Sequence, residues 1–212
     1  TSKALIGILC GVHPYPTMEI KESQPNGLRF PCLPRLLESI GYKTLFIQSA
    51  TEHFESRRSL MRNIGFNTFL AKEQIAGNHQ ESGYFGLDER AILKPFKSWW
   101  EKQEHQPRLA VMLTSMTHHP YQVLGKVAPT NLSDARIGYL TNLKYTDQFL
   151  GELRDWLSAR GDLKNTVIVI TGDHGEGFSE HQTSQHDAVP YEEGIRVPLV
   201  LSIPNDKLVN YK

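Results

Sequence analysis

The ten residues Val167 to Glu176, VIVITGDHGE, constrain this chain more than any other stretch. Val167-Ile168-Val169-Ile170 is an unbroken apolar, β-branched run. It predicts a strand buried on both faces, as in a parallel sheet. Thr171-Gly172 ends the run, and Asp173 and His174 follow just past its carboxyl end. In open α/β sheets that edge is where ligands bind. A carboxylate beside an imidazole supplies a hard oxygen and a borderline nitrogen, a donor pair suited to zinc or manganese ahead of calcium or magnesium. The flanking glycines let the backbone approach a ligand.

The remaining pattern alternates helix and strand. Thr1-Ser2 caps a helix with Leu5, Ile6 and Leu9 on one face, stopped by Gly11. Residues 13–29 are rich in Pro, Gly and polar side chains and predict an irregular loop. Leu33 to Ile40 reads as a helix ended by Gly41, Lys43 to Ser49 as a strand, Phe54 to Ile64 as a helix ended by Gly65, and Phe66 to Leu70 as a short strand. Asp88 to Glu104 begins with an acidic cap and carries Ile92, Leu93, Phe96, Trp99 and Trp100 at helical spacing. Arg108 to Ser115 is a strand. Ser133 or Asp134 caps a long helix to about Arg160, with Ile137, Leu140, Leu143, Tyr145, Phe149, Leu153 and Trp156 on a broad apolar face. Arg196 to Ser202 is the last strand, and Pro198 marks an edge position or a bulge. This order predicts an α/β, doubly wound, mostly parallel sheet with helices on both faces, in one domain over residues 1–212.

Composition narrows the function classes. The 23 basic and 23 acidic side chains balance, and no Lys/Arg cluster gives a nucleic-acid footprint. No apolar run approaches the ~20 residues that span a bilayer. No signal peptide is visible; the chain starts at Thr1 without Met and is expected to be a piece of something longer. Cys10 and Cys32 are open to two readings, buried thiols or a disulfide. With no CxxC pair, a cysteine zinc site is not expected.

Other residues join Asp173 and His174 as candidates. His118-His119-Pro120-Tyr121 follows a strand directly and so falls on the same sheet edge; it binds a second metal or an anionic substrate, or is a turn with incidental histidines. His186, and His181 as a lesser candidate, lie in a stretch too polar for a core. Thr1 places a hydroxyl at a helix N-terminus, where unsatisfied N–H groups and the macrodipole stabilise a tetrahedral phosphate or sulfate. A metal on that hydroxyl lowers its pKa and makes a nucleophile of it. The bland alternatives are that Thr1 is only an N-cap and that Asp173 caps a turn while His174 packs.

Taken together, TSKALIGILCG, PCLPRLLESIGYKT, THHPYQ, YTDQFLGELRDWL, NTVIVITGDHGEGFSEH and YEEGIRVPLVL resemble the sulfatase-like branch of the alkaline phosphatase superfamily. The resemblance covers most of the chain. It implies an alkaline phosphatase-like fold, Thr1 as nucleophile and metal ligand, Asp173 and His174 as ligands of the same metal, and His118 and His186 on the substrate's anionic group or a second metal, with His119 and His181 as lesser candidates. Ordinary sulfatases carry a C/S-x-P-x-R motif, absent after Thr1, and a lysine before the YEE segment, where His186 is nearest. Both departures resemble the threonine-nucleophile group, which includes lipoteichoic acid synthases and the phosphoglycerol and phosphoethanolamine transferases of the cell envelope.

That group implies a covalent phospho- or sulfo-threonine, an ester substrate, a phospholipid donor, upstream membrane helices and a bacterial, extracytoplasmic location, periplasmic or on the outer face of the inner membrane. In that setting a Cys10–Cys32 disulfide is favoured. The family carries an acidic metal ligand upstream of its nucleophile and continues past the last strand, so the domain is expected to be truncated at both ends. Competing readings are a sulfuric ester hydrolase, and a non-catalytic binding domain that retains the fold. A relative of cofactor-independent phosphoglycerate mutase or nucleotide pyrophosphatase would share the fold, but HHPY and YEEGIRVP stand nearer the sulfatase-like group.

Overall fold

Strand β1 (Lys43–Gln48) is the centre of the first sheet. Its residues 44–48 are all buried, so both its faces are covered. It pairs in parallel with β2 (Thr68–Leu70) on one side and, through six register pairs from Lys43↔Arg108 to Gln48↔Leu113, with β5 (Arg108–Leu113) on the other. Parallel neighbours need crossovers, which helices supply. In the computed structural model, residues 1–82, 86–182, 184–186 and 191–204 are described. They fall into two compact units, one ending at Thr146 and the other beginning at Asp147.

In the first unit, α1 (Ser2–Cys10), α2 (Leu33–Ser39), α3 (Arg57–Ile64) and α4 (Leu93–Lys102) surround the sheet. Leu5, Ile6 and Leu9 of α1 and Leu60, Met61 and Ile64 of α3 meet Phe46 of β1 in one apolar core. Helical spacing put those six side chains on matching stripes, and burying each contributes about 1.5–3 kcal/mol. From α4, Trp99 Nε1 donates to Thr68 Oγ1 (3.3 Å), and the Arg108 guanidinium lies 4.1 Å from the Trp100 ring. Two short strands, β3 (Glu81–Ser82) and β4 (Gly86–Leu87), form a small antiparallel ladder that the sequence did not signal.

Cys10 and Cys32 form a disulfide that joins the end of α1 to the start of α2 across 22 residues of separation. This settles the reading that composition left open. The polar loop is held down nearby: Lys3 Nζ pairs with Glu22 Oε2 (2.9 Å), Tyr15 N–H donates to Glu22 Oε1 (2.8 Å), and Asn63 Nδ2 donates to the carbonyls of Glu22 and Gln24 (both 2.8 Å).

Three expectations are corrected in detail. The continuous helix from Phe54 is a 3₁₀ turn, Phe54–Ser56, followed by α3, because Glu55 and Ser56 both adopt left-handed backbone at φ 52°. Such conformations cost about 1–3 kcal/mol each. Here Glu55 Oε2 accepts from Ser2 N–H and from Arg57 Nη2, both at 3.2 Å. Helix α5 (Leu132–Ala159) is capped by Asn131, whose Oδ1 accepts from Asp134 N–H, rather than by Ser133 or Asp134. Its inward face runs through Gly138, Asn142 and Phe149, while Ile137, Leu140 and Leu143 are exposed. Phe149 of the predicted stripe is buried and Tyr145, Leu153 and Trp156 are half-buried, but towards the start of the helix the inward positions are a glycine and an asparagine, which an apolar count passes over.

In the second unit, β6 (Ile168–Thr171) pairs antiparallel with β9 (Leu199–Ser202), which starts after Pro198, where no N–H can join a ladder. Strand β6 alternates in burial, with Val169 58% exposed, so it is not covered on both faces as the apolar run predicted. A second ladder pairs β7 (Gly177–Phe178) with β8 (Ser184–Gln185), and α6 (Glu192–Ile195) is a single helical turn. No described helix is long and apolar enough to cross a membrane.

Two measurements test this account of the first unit. Reducing the disulfide, or replacing Cys10 and Cys32 by Ala, is expected to cost about 3 kcal/mol through the freed unfolded chain; denaturant midpoints with and without reductant check it. Burial pushes the Glu22 carboxyl up, but the Lys3 ammonium and the backbone N–H donors outweigh it, and the group sits below its ordinary value. A depressed carboxyl stabilises the fold above its unfolded-state pKa and loses that contribution as pH falls through the folded-state value. Glu22→Gln is therefore expected to flatten the fall of melting temperature on acidification below about pH 4.5; an unchanged acid limb would contradict the pair's role.

Candidate active site

The candidate residues fall into two groups, one in each unit. In the first unit, Thr1 is the N-cap of α1 and makes no side-chain capping hydrogen bond, while its carbonyl accepts from Leu5 N–H (3.0 Å). The next N–H, that of the fully buried Ser2, donates to Glu55. Burial raises the Glu55 carboxyl, but the Ser2 hydrogen bonds and the Arg57 guanidinium oppose it, and the net shift is downward. A carboxylate thus faces the positive end of the helix beside Thr1. Sequence gave no hint of it, since Glu55 reaches Ser2 only through two left-handed residues.

His118 and His119 occupy the turn after β5. His118 N–H donates to Ser115 O, Tyr121 N–H donates to His118 O (both 3.0 Å), and the His119–Pro120 peptide is cis. His118 Nδ1 lies 2.8 Å from the His119 carbonyl, which can only accept, so Nδ1 carries the proton. Nε2 is then an acceptor in the neutral ring and a donor in the imidazolium. His119 is exposed, its ring edge-on to Tyr121 at 5.6 Å. Two buried polar side chains hold this turn and were missed by sequence reasoning. Glu89 Oε1 accepts from Ser115 N–H (2.7 Å) and Met116 N–H (2.6 Å), and its Oε2 accepts from Thr146 Oγ1 (3.0 Å). Asn142 Nδ2 donates to Met116 O (2.7 Å) and Gln122 O (3.2 Å). Burial raises the Glu89 carboxyl above its ordinary value, with the three donors opposing.

In the second unit, Asp173 and His174 stand just past β6, as expected. His174 Nδ1 donates to the Gly175 carbonyl (2.7 Å), which leaves the lone pair of a neutral ring on Nε2. That Nε2 lies 3.3 Å from Asp173 Oδ2. Two acceptors at that distance need a proton or a cation between them. Metal bonds of about 2.0–2.2 Å at a tetrahedral centre would set two ligand atoms about 3.3–3.6 Å apart, so the pair fits a divalent ion. Among the described residues, no three His, Cys, Asp or Glu side chains converge as a metal cage.

The His186 ring stacks on His174 at 3.7 Å, and its Nδ1 lies 3.3 Å from Glu176 Oε1. His181 pairs instead with Glu193, Nδ1 to Oε1 at 2.7 Å, and stacks on Tyr191 at 4.0 Å. That hydrogen bond holds the Glu193 carboxyl below its ordinary value. The structure therefore brings His186 to the Asp173–His174 pair and ties His181 to the YEE segment.

Gly175 has a different task from the one its position suggested. Its N–H donates to Gly194 O (2.8 Å), and a Cβ on it would lie 2.0 Å from Glu193 O. The space a side chain would fill is taken by the backbone of α6, so this glycine seats the Asp-His turn on α6 rather than admitting a ligand. Gly175→Ala is expected to cost about 1–3 kcal/mol. Gly151→Ala, on α5 with open space around it, is expected to stabilise by about 0.5–1 kcal/mol. Thermal melts of the two variants check the contrast.

The family model for sulfatases matches residues 1–211, and the chain belongs to that family, within the alkaline phosphatase superfamily. It is similar to the lipoteichoic acid synthase of Staphylococcus aureus, 25% identical over 160 residues, which are 73% of this chain and 24% of that protein. Among solved structures it resembles the lipoteichoic acid synthase LtaP from Listeria monocytogenes, with a TM-score of 0.77 at 20% identity over 96% of this chain and 53% of the other. It also resembles the zinc complex of the C-terminal periplasmic domain of EcEptC from Escherichia coli, with a TM-score of 0.62 at 18% identity over 89% of this chain and 59% of the other. These likenesses establish the alkaline phosphatase-like α/β fold. The chain spans about a quarter of the length of the curated relatives it matches.

Proposed function

We propose that this chain carries the catalytic centre of a metal-dependent phosphoester transferase with a threonine nucleophile. The observation that carries the reading is the Asp173–His174 pair past β6, its imidazole oriented through Nδ1 and His186 stacked against it. Asp173, His174 and Thr1 would hold the cation, with zinc or manganese fitting the nitrogen and oxygen donors. Bound there, the cation supplies positive charge that favours the deprotonated hydroxyl and stabilises charge on the ester oxygens.

The residues divide the remaining work. Thr1 Oγ forms a bond to phosphorus, its proton passes to solvent, and the bond from phosphorus to the leaving alcohol breaks, that oxygen taking up a proton. An acceptor hydroxyl then loses its proton and bonds to the same phosphorus, which still carries the glycerol or ethanolamine, and the phosphorus–Oγ bond breaks, the Thr1 oxygen regaining a proton. His118 and His186, as imidazoliums, donate through Nε2 to the phosphoryl oxygens, where charge builds up. The substrate class is a phosphoglycerol- or phosphoethanolamine-bearing lipid donor, and the acceptor a cell-envelope glycan or lipid. Support comes from the lipoteichoic acid synthases of Staphylococcus aureus and Listeria monocytogenes and from the EcEptC domain, which is periplasmic. The periplasmic EcEptC domain supports an extracytoplasmic setting, in which the parent protein is held to the membrane, and the Cys10–Cys32 disulfide agrees with an oxidising compartment.

Zinc or manganese at about 100 times Kd is expected to stabilise the fold by about 2.7 kcal/mol, and Asp173→Ala to abolish the shift. A melting temperature indifferent to both metals would contradict the reading. Turnover of an aryl phosphodiester is expected to fall by more than about a thousandfold in Thr1→Ala. Faster turnover of an aryl sulfate than of the phosphodiester would instead identify a sulfuric ester hydrolase.

A further inference from the structure

The turn that presents His118 is unusually well seated for a loop. It is polar backbone packed under a helix, and its buried N–H and C=O groups need partners. Two side chains provide them, one from the turn that leads into α4 and one from α5. Glu89, fully buried, takes the N–H groups of Ser115 and Met116 at the entry to the turn. Asn142, 1% exposed, bridges the carbonyls of Met116 and Gln122, one before the histidines and one after. Met116 is gripped by both: its N–H by Glu89 and its C=O by Asn142.

One turn earlier on α5, Gly138 stands on the face that carries Asn142. A Cβ on Gly138 would lie 2.4 Å from the Tyr121 carbonyl, so only a glycine lets α5 come close enough for Asn142 to reach across the turn. A glycine inside a helix is unfavourable relative to alanine, which makes its presence here a matter of clearance.

We propose that Glu89, Asn142 and Gly138 are positioning residues that fix the 115–122 turn from both ends and thereby set where His118 meets the transferred phosphoryl group. This rests on the role of His118 proposed above. None of the three touches substrate; each acts through the turn. Misplacing a substrate-holding group by about 1 Å costs on the order of a hundredfold in rate. Loss of either clamp is therefore felt in turnover even where the protein stays folded.

The test is a double-mutant cycle read with an aryl phosphodiester, beside amide hydrogen exchange at Ser115 and Met116. Asn142→Ala and Gly138→Ala are each expected to lower kcat/KM by about 10- to 100-fold in the wild-type background and by less than about twofold once His118 is Ala. Glu89→Ala is expected to behave likewise. Glu89→Gln, which keeps an acceptor for both N–H groups, should restore kcat/KM to within about threefold of wild type. Losses that persist undiminished in the His118→Ala background would overturn the proposal, because the clamp would then act elsewhere. Gly138→Ala removes no buried hydrogen-bonding partner, so it keeps the test decisive if Glu89→Ala fails to fold. Exchange decides the clamp independently of chemistry: Ser115 and Met116 should lose protection in Asn142→Ala and keep it in Glu89→Gln, and unchanged protection in Asn142→Ala would overturn it. Absence of phosphodiester turnover in the unmutated protein would count against the proposed function and leave the exchange result to judge the seat.

Discussion

Parallel pairing of β1 with β5 is the constraint on which the first unit rests. Six register pairs run in one direction, so the carboxyl ends of both strands reach the same edge. That edge is where the backbone leaves regular pairing and polar side chains gather. Ser49 and Ser115, one residue past Gln48 and two past Leu113, share a hydrogen bond of 2.9 Å there. The His118 turn follows within three residues. A parallel ladder needs helices to return the chain; α3 and α4 do so here, and their apolar stripes are buried, as is that of α1. Helix α1 in turn carries Thr1 at its start.

Polar groups inside such a framework must be satisfied, and the cluster around the histidine turn shows how. Glu89 meets three donors, Asn142 two acceptors, and a glycine supplies the clearance. The second unit repeats the logic with backbone alone: Gly175 packs so closely on α6 that its N–H reaches Gly194 O. In both units, a chemically capable histidine sits on a turn that is over-determined by hydrogen bonds. Rigid supports of this kind hold reacting groups where loops would let them wander.

Much of this was legible in the chain. The apolar run Val167–Ile170 gave the strand before Asp173-His174, and the stripes of α1, α3 and α4 gave three helices and their buried faces, because period and capping are local signals. Only the first half of the α5 stripe, Ile137, Leu140 and Leu143, was misread, because Gly138 and Asn142 face inward there for reasons set by the turn they pack on, which no apolar count contains. The exposed face of β6 was misread because a β-branched run gives strand propensity without saying what covers it. Glu55, Glu89 and Asn142 left no signature, since a single inward polar residue has no period and the backbone and hydroxyl groups it holds are 20 to 57 positions away. The Cys10–Cys32 bond needed coordinates, two thiols being equally consistent with composition.

The central claim is that the hydroxyl of Thr1 becomes bonded to phosphorus. Rapid quench with a slow phosphodiester donor in the presence of zinc or manganese, followed by peptide mass mapping, tests it most directly. The account predicts a phosphoryl adduct on the peptide that contains Thr1, forming no slower than turnover and missing in Thr1→Ala. Turnover with the adduct on another residue, or undiminished turnover in Thr1→Ala, would contradict it.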